Sequence, residues 1–129
     1  MSLTHFAAGL VWVGLMVTGA DFVSAQDYPN KPIRIITAAA GGGSDFIARL
    51  LGQGIAGPLG QPVIVDNRTS AILAAEAVAK APPDGYTVLV SGSLLWITPL
   101  LRKTPYDAVN DFSPISLLLR EVYIIAVHP

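Results

Sequence analysis

From Ile33 onward, short apolar runs alternate with longer stretches in which apolar residues return every three or four positions. Ile33 to Thr37 is apolar at nearly every position after Arg34, the pattern of a strand buried on both faces of a parallel sheet. Phe46, Ile47, Leu50, Leu51 and Ile55 then fall at helical spacing, predicting a helix that starts near Ser44 and stops at Gly57-Pro58-Leu59-Gly60. Val63 to Val65 reads as a second buried strand. A second helix is predicted over Ala71 to Ala81, with Glu76 and Lys80 as an i,i+4 pair. Pro82-Pro83-Asp84-Gly85 is a turn, and Tyr86 to Val90 is a third strand. Strand, helix, strand, helix, strand implies right-handed crossovers and a mostly parallel α/β sheet. Past Trp96 the pattern predicts a loop over 104–114, then two further strands at Ile115 to Leu119 and Tyr123 to Val127.

The first turn organises the rest. Ala38-Ala39-Ala40-Gly41-Gly42-Gly43-Ser44-Asp45 joins a strand to a helix start, where glycine admits positive φ and the first helical N–H groups have no partner within the helix. Such a turn favours a carboxylate or phosphate. Asp45 is read either as an early-turn helix residue or as a ligand contact. Ligands of parallel sheets bind outside the carboxyl ends of the strands, and three turns there carry Gly, Ser or Asn: Gly41 to Ser44, Asn67 to Ser70, and Ser91 to Ser93.

Composition changes the picture at one end of the chain. The chain has 129 residues, 52% of them hydrophobic, and much of that excess lies from Phe6 to Ala20. Val23-Ser24-Ala25 follows as a small-x-small site, so Met1 to Ala25 is expected to be a secretory signal, with a membrane anchor as the alternative because the segment before the apolar run has no Lys or Arg. Without Asp21 the mature chain has eight acidic against eight basic residues, which gives no electrostatic case for nucleic acid. Lack of cysteine excludes disulfides, thiolate metal sites and cysteine nucleophiles.

Catalytic chemistry finds little support. Gly41-x-Gly43 matches half of a dinucleotide fingerprint, but Phe46 takes the third glycine position and no P-loop lysine follows. Asp66, at the end of the second strand, lies roughly where a ribose-binding acid would sit, but a strand-ending Asp is more often a turn residue. Serines 44, 91 and 93 have no general base, since His5 lies in the expected signal and His128 is the penultimate residue. The carboxylates show no metal-ligand spacing. Trp96 and Tyr106 are candidates either for a pocket or for the core. The residues therefore point to recognition of a small anion by amides and hydroxyls, with no catalytic residue, metal or cofactor expected.

Several blocks match one family in order. Tyr28-Pro-x-Lys-Pro-Ile-Arg-Ile-Ile36, the Gly-Gly-x-x-Asp45 helix start, Leu59-Gly-Gln-Pro-Val-Ile-Val-Asp-Asn-Arg68, Ala75-Glu-Ala-Val-Ala-Lys-Ala-Pro-Pro-Asp-Gly-Tyr-Thr-Val-Leu-Val90 and Pro105-Tyr-Asp-x-Val-x-Asp-Phe-Ser-Pro-Ile-Ser116 resemble the Bug family. These are the extracytoplasmic solute-binding receptors of tripartite tricarboxylate transporters. The resemblance implies a type II periplasmic-binding-protein fold, a small carboxylate ligand, membrane permease partners, and export to the periplasm. It further implies ligand loops at Ala40, Gly41, Gly42, Gly43, Ser44 and Asp45, around Ser70 and Ala71, and at Ser91, Gly92 and Ser93. Family members have a longer, glycine-containing turn before the Ala75 block and extend into a second lobe. Residues 26–129 are accordingly expected to be part of a first lobe, truncated before the second. The alternatives are a nucleotide-binding enzyme domain and a fragment without binding function.

Overall fold

The computed structural model describes residues 28–120 and 124–128. The expected signal segment, Met1 to Ala25, lies outside them. Three parallel strands, β1 (Ile33–Thr37), β2 (Val63–Asn67) and β3 (Thr87–Leu89), stand in the order β2-β1-β3. The first strand is flanked on both sides, which is why its sequence is almost continuously apolar. Ile33, Ile35, Ile36 and Thr37 are buried, and Arg34 alone reaches solvent. Burying each isoleucine contributes roughly 1.5–3 kcal/mol. Thr37, fully buried, donates its hydroxyl to the Val90 carbonyl at 2.9 Å, so no polar atom is left unpaired at that point.

Helix α1 (Gly43–Leu59) joins β1 to β2, and α2 (Ala71–Ala79) joins β2 to β3. Because side chains alternate along a strand, the two helices draw on different faces. Ile35, Val63, Val65 and Val90 pack with Ile47, Ala48 and Leu51 of α1, while Leu89 packs with Ile72, Ala75 and Ala79 of α2. Ala48 and Gly52 let α1 lie close to the sheet; a Cβ at Gly52 would stand 3.2 Å from Val63 Cγ1. The helix ends inside the expected stop, taking in Pro58 and Leu59. It ends at Gly60, at φ 64°, with its N–H on the Gly57 carbonyl. Ser70 caps α2 by accepting from Leu73 N–H at 3.3 Å. Glu76 and Lys80 form the expected pair at 2.6 Å.

Two expectations for the later chain are corrected. Leu94–Leu101 forms a third helix, α3, where none is predicted. Residues 115–119 and 124–127 are not strands, and Tyr123 lies outside the described residues. Their apolar, partly β-branched pattern suits extended backbone, but a strand exists only where a neighbour completes its ladder. Ile115, Ile124 and Ile125 are instead exposed. Between them and α3, Tyr106 is buried and donates to the Leu95 carbonyl at 3.2 Å, with Phe112 edge-on at 6.0 Å. Asp107 then forms a tight turn, accepting from Val109 and Asn110 N–H.

The end of the sheet where the strands begin is closed by its own side chains. Tyr28 donates to the Gly85 carbonyl at 2.9 Å, Asn30 N–H donates to the Tyr86 hydroxyl at 3.0 Å, and Lys31 pairs with Asp84 at 3.1 Å while lying 4.1 Å over the Tyr86 ring. Gly85 needs to be glycine twice over: its φ is 80°, and an added Cβ would come within 3.0 Å of the Tyr28 hydroxyl.

Candidate functional site

The strand order reverses at β1, because β2 lies on one side of it and the next crossover returns to the other. A crevice is expected there, between the carboxyl ends of β1 and β3. A groove of about 540 Å³ occupies that place. Gly43 and Ser44, the first residues of α1, form one wall, and Ser91, Gly92 and Ser93, leading into α3, form another. Ile47, Leu89, Leu95, Trp96 and residues 114 and 116–119 complete it with mostly apolar surface. None of the described lining residues is charged. The groove can therefore offer an anion only N–H groups, hydroxyls and the N-terminus of α1, because the Leu95 and Trp96 N–H groups at the start of α3 already donate to the Gly92 and Ser93 carbonyls.

The residues expected to form the site divide into three groups. Gly43, Ser44, Ser91, Gly92 and Ser93 meet in this groove. Ala40, Gly41, Gly42 and Asp45 build the turn behind it, and none of the four lines the groove. Of the three glycines, Gly41 alone has a positive φ, 81°, so it makes the turn, whereas Gly43 has no atom within 4 Å of an added Cβ and so keeps the wall open. Ser70 and Ala71 start α2 and do not line the groove either; nearby Thr69 and Arg68 line a second, smaller hollow of about 390 Å³ against α2. The two aromatic candidates separate as well. Trp96 is half-exposed at the groove, and Tyr106 is core. What sequence reasoning missed is the contribution of α3, whose N-terminus faces the groove beside that of α1.

Asp45 is buried, with 7% of its side chain exposed. One carboxylate oxygen accepts from Gly41 N–H at 2.9 Å; the other accepts from Asn67 Nδ2 at 2.8 Å and from Arg49 at 3.0 Å. The Gly41 N–H, then Asn67, then Arg49 stabilise the charged form and lower its pKa from 3.8 to about 2, against a smaller opposing effect of burial. Asp66 is likewise engaged, with Arg68 at 3.0 Å and Arg34 at 3.7 Å. Among the described residues no group of three or more His, Asp or Glu could hold a metal, and no helix is long and apolar enough to cross a membrane.

The model of the tripartite tricarboxylate transporter family receptor matches residues 47–129. The chain belongs to this family. It is 43% identical over 118 residues to a UPF0065 protein of Bordetella bronchiseptica, covering 88% of this chain and 35% of that one. Among solved structures it is similar to the periplasmic binding protein BugD, with a TM-score of 0.65 and 35% identity over 68% of this chain and 31% of BugD. It is also similar to Rpa4515 of R. palustris, solved with adipate, with a TM-score of 0.55 and 28% identity over 63% of this chain and 29% of that one. The chain thus spans about a third of the length of the relatives it matches. Within this family of periplasmic solute-binding receptors, the α/β unit described above is part of the binding-protein fold.

Proposed function

We propose that this chain supplies one wall of a periplasmic cleft that holds a small carboxylate, without catalysis, for delivery to the membrane components of a tripartite transporter. The observation that carries the reading is the meeting of Gly43, Ser44 and Ser91 to Ser93 in one uncharged groove at the N-terminus of α1. A carboxylate there would accept from main-chain N–H groups and serine hydroxyls, with its body against Ile47, Leu95 and Trp96. The nucleotide reading is weaker on the same residues. Phe46 stands exposed where the fingerprint needs its third glycine, and Asp66 is already held by two arginines.

Calorimetric titration with succinate, adipate and citrate tests the proposal. Ser44→Ala should weaken binding of the best ligand by about tenfold or more, the usual effect of losing a hydrogen bond to a charged group. Absence of binding by the unmodified chain, or unchanged affinity in the variant together with tight binding of a nucleotide, would overturn it.

A further inference from the structure

The turn behind the groove is braced across two strands. Asn67, the last residue of β2, donates through Nδ2 to the Ala38 carbonyl at 2.9 Å and to Asp45 at 2.8 Å, and its own Oδ1 accepts from Arg49 at 3.0 Å. The amide can sit only this way round, because the reverse would set its oxygen against two other acceptors. One side chain of β2 thus touches the residue that leaves β1 and the carboxylate in the first turn of α1. That carboxylate in turn reaches back to Gly41 N–H at 2.9 Å, and Arg49 closes the set on both Asp45 and Asn67.

This arrangement gives the Gly41 amide an acceptor inside the protein, whereas the amides of Gly43 and Ser44, at the first two positions of α1 and in the groove wall, have no acceptor within the helix. We propose that Asp45 and Asn67 are a clasp of positioning residues: they fix the Gly41 to Ser44 turn by tying it to the end of β2, so that the Gly43 and Ser44 donors are aimed before a ligand arrives, and Asp45 itself does not touch the ligand. The effect on binding rests on the carboxylate reading above; the clasp itself does not. The Asp45 carboxylate at its centre is buried and Asn67 partly so, and opening the network would leave that charge short of its partners, which favours one conformation, while Arg49 reaches solvent. Arg49, the cation of the network, keeps the Asp45 charge from repelling an anion at the groove.

The test is amide exchange by NMR on the full chain, read at Gly41, with Ile35 and Ile36 as reporters of the intact sheet. Asp45→Ala should speed exchange at Gly41 by at least about tenfold while the two isoleucines keep their protection. Asp45→Asn, which keeps an acceptor of the same shape, serves if the alanine variant does not fold, and should give a smaller increase. Asn67→Ala decides the matter: a clasp predicts faster exchange at Gly41 although the Gly41 to Asp45 bond is untouched by the substitution. Adipate titration of the same variants should show each single change weakening binding and the pair weakening it no further than the worse single change. Wild-type exchange at Gly41 in Asn67→Ala would overturn the clasp, and additive losses of adipate affinity would do the same. If the unmodified chain binds no adipate, succinate or citrate, the function proposed above fails while the exchange result still judges the clasp.

Discussion

The two ends of the small sheet use similar residues to opposite effect. Where the strands begin, a glycine, an aspartate and two tyrosines join Tyr28–Lys31 to Asp84–Tyr86 until each named polar group has a partner within the protein. Where the strands finish, a glycine and an aspartate again hold a turn, at Gly41 and Asp45, but the next residues, Gly43 and Ser44, line an open groove with Ser91 to Ser93. An aspartate that accepts a backbone N–H is therefore no mark of a binding site. The difference lies in the element that the turn leads into: at the closed end the chain enters a strand and its donors are taken up by the ladder, and at the open end it enters a helix whose first donors have no internal acceptor.

The largest expected effect breaks the closed end alone. Gly85→Val puts a branched side chain at φ 80° and against the Tyr28 hydroxyl. Strain of that kind costs roughly 1–3 kcal/mol, and losing the Tyr28 bond adds about 1 kcal/mol. The midpoint of urea unfolding should fall accordingly, with ligand affinity changed only as far as the folded fraction changes. A shift no larger than that of a surface substitution would show that the closed end does not contribute to stability.

The next effect belongs to the open end. Gly43→Val meets no atom where its Cβ would sit, so stability should stay within about 0.5 kcal/mol of the parent. The new methyl groups project at the groove, and carboxylate affinity should drop by about tenfold or more, near 1.4 kcal/mol. Loss of stability without loss of affinity would reverse the assignment of the two ends.

The smallest effect sharpens the comparison through pH. Asp45 and Asp84 both have lowered pKa values when folded, Asp45 first through Gly41 N–H and Asp84 first through Tyr86 N–H. A folded pKa below the unfolded value means stability that is complete above the unfolded 3.8 and lost as pH falls toward the folded value, about 2 for Asp45. Unfolding midpoints measured from pH 5 to pH 2 should therefore decline less steeply in Asp45→Asn and in Asp84→Asn than in the parent. The change should be greater for Asp45, whose side chain is 7% exposed against 40% for Asp84. Equal slopes in all three proteins would remove both carboxylates from the acid response.

Much of the fold is legible in the sequence because its signals are local. The apolar run at Ile33 to Thr37, the glycine-rich turn, the spacing through Leu51 and the turn at Asp84-Gly85 each arise from residues within a few positions of one another. Helix α3 is not legible: Leu94-Leu-Trp-Ile-Thr-Pro-Leu-Leu101 is apolar on nearly all sides and contains Pro99, so no period separates a helix from a strand or a loop. The expected strands fail over the described residues 115–119 and 124–127 for the complementary reason, since extended propensity is a property of the residues but a ladder is a property of the neighbour. The role of Asp45 depends on Asn67, 22 residues away, and on Arg49 serving both. Nothing in the first turn alone distinguishes that use from contact with a ligand.

The uncharged lining of the groove has a consequence for how binding should respond to the medium. Exchange of solutes across the outer boundary of a cell exposes a periplasmic protein to the ionic strength outside, and an anion held by a lysine or arginine would be released as salt rises, because screening lengths shrink from about 30 Å at 0.01 M to about 3 Å at 1 M. A groove whose described lining carries Gly, Ser and apolar residues has no such formal attraction to screen. On the function proposed above, capture there would depend on short contacts rather than on a long-range field, which lowers the rate of encounter but makes occupancy nearly indifferent to salinity. A receptor built this way would read the concentration of its solute with little interference from the concentration of everything else dissolved around it.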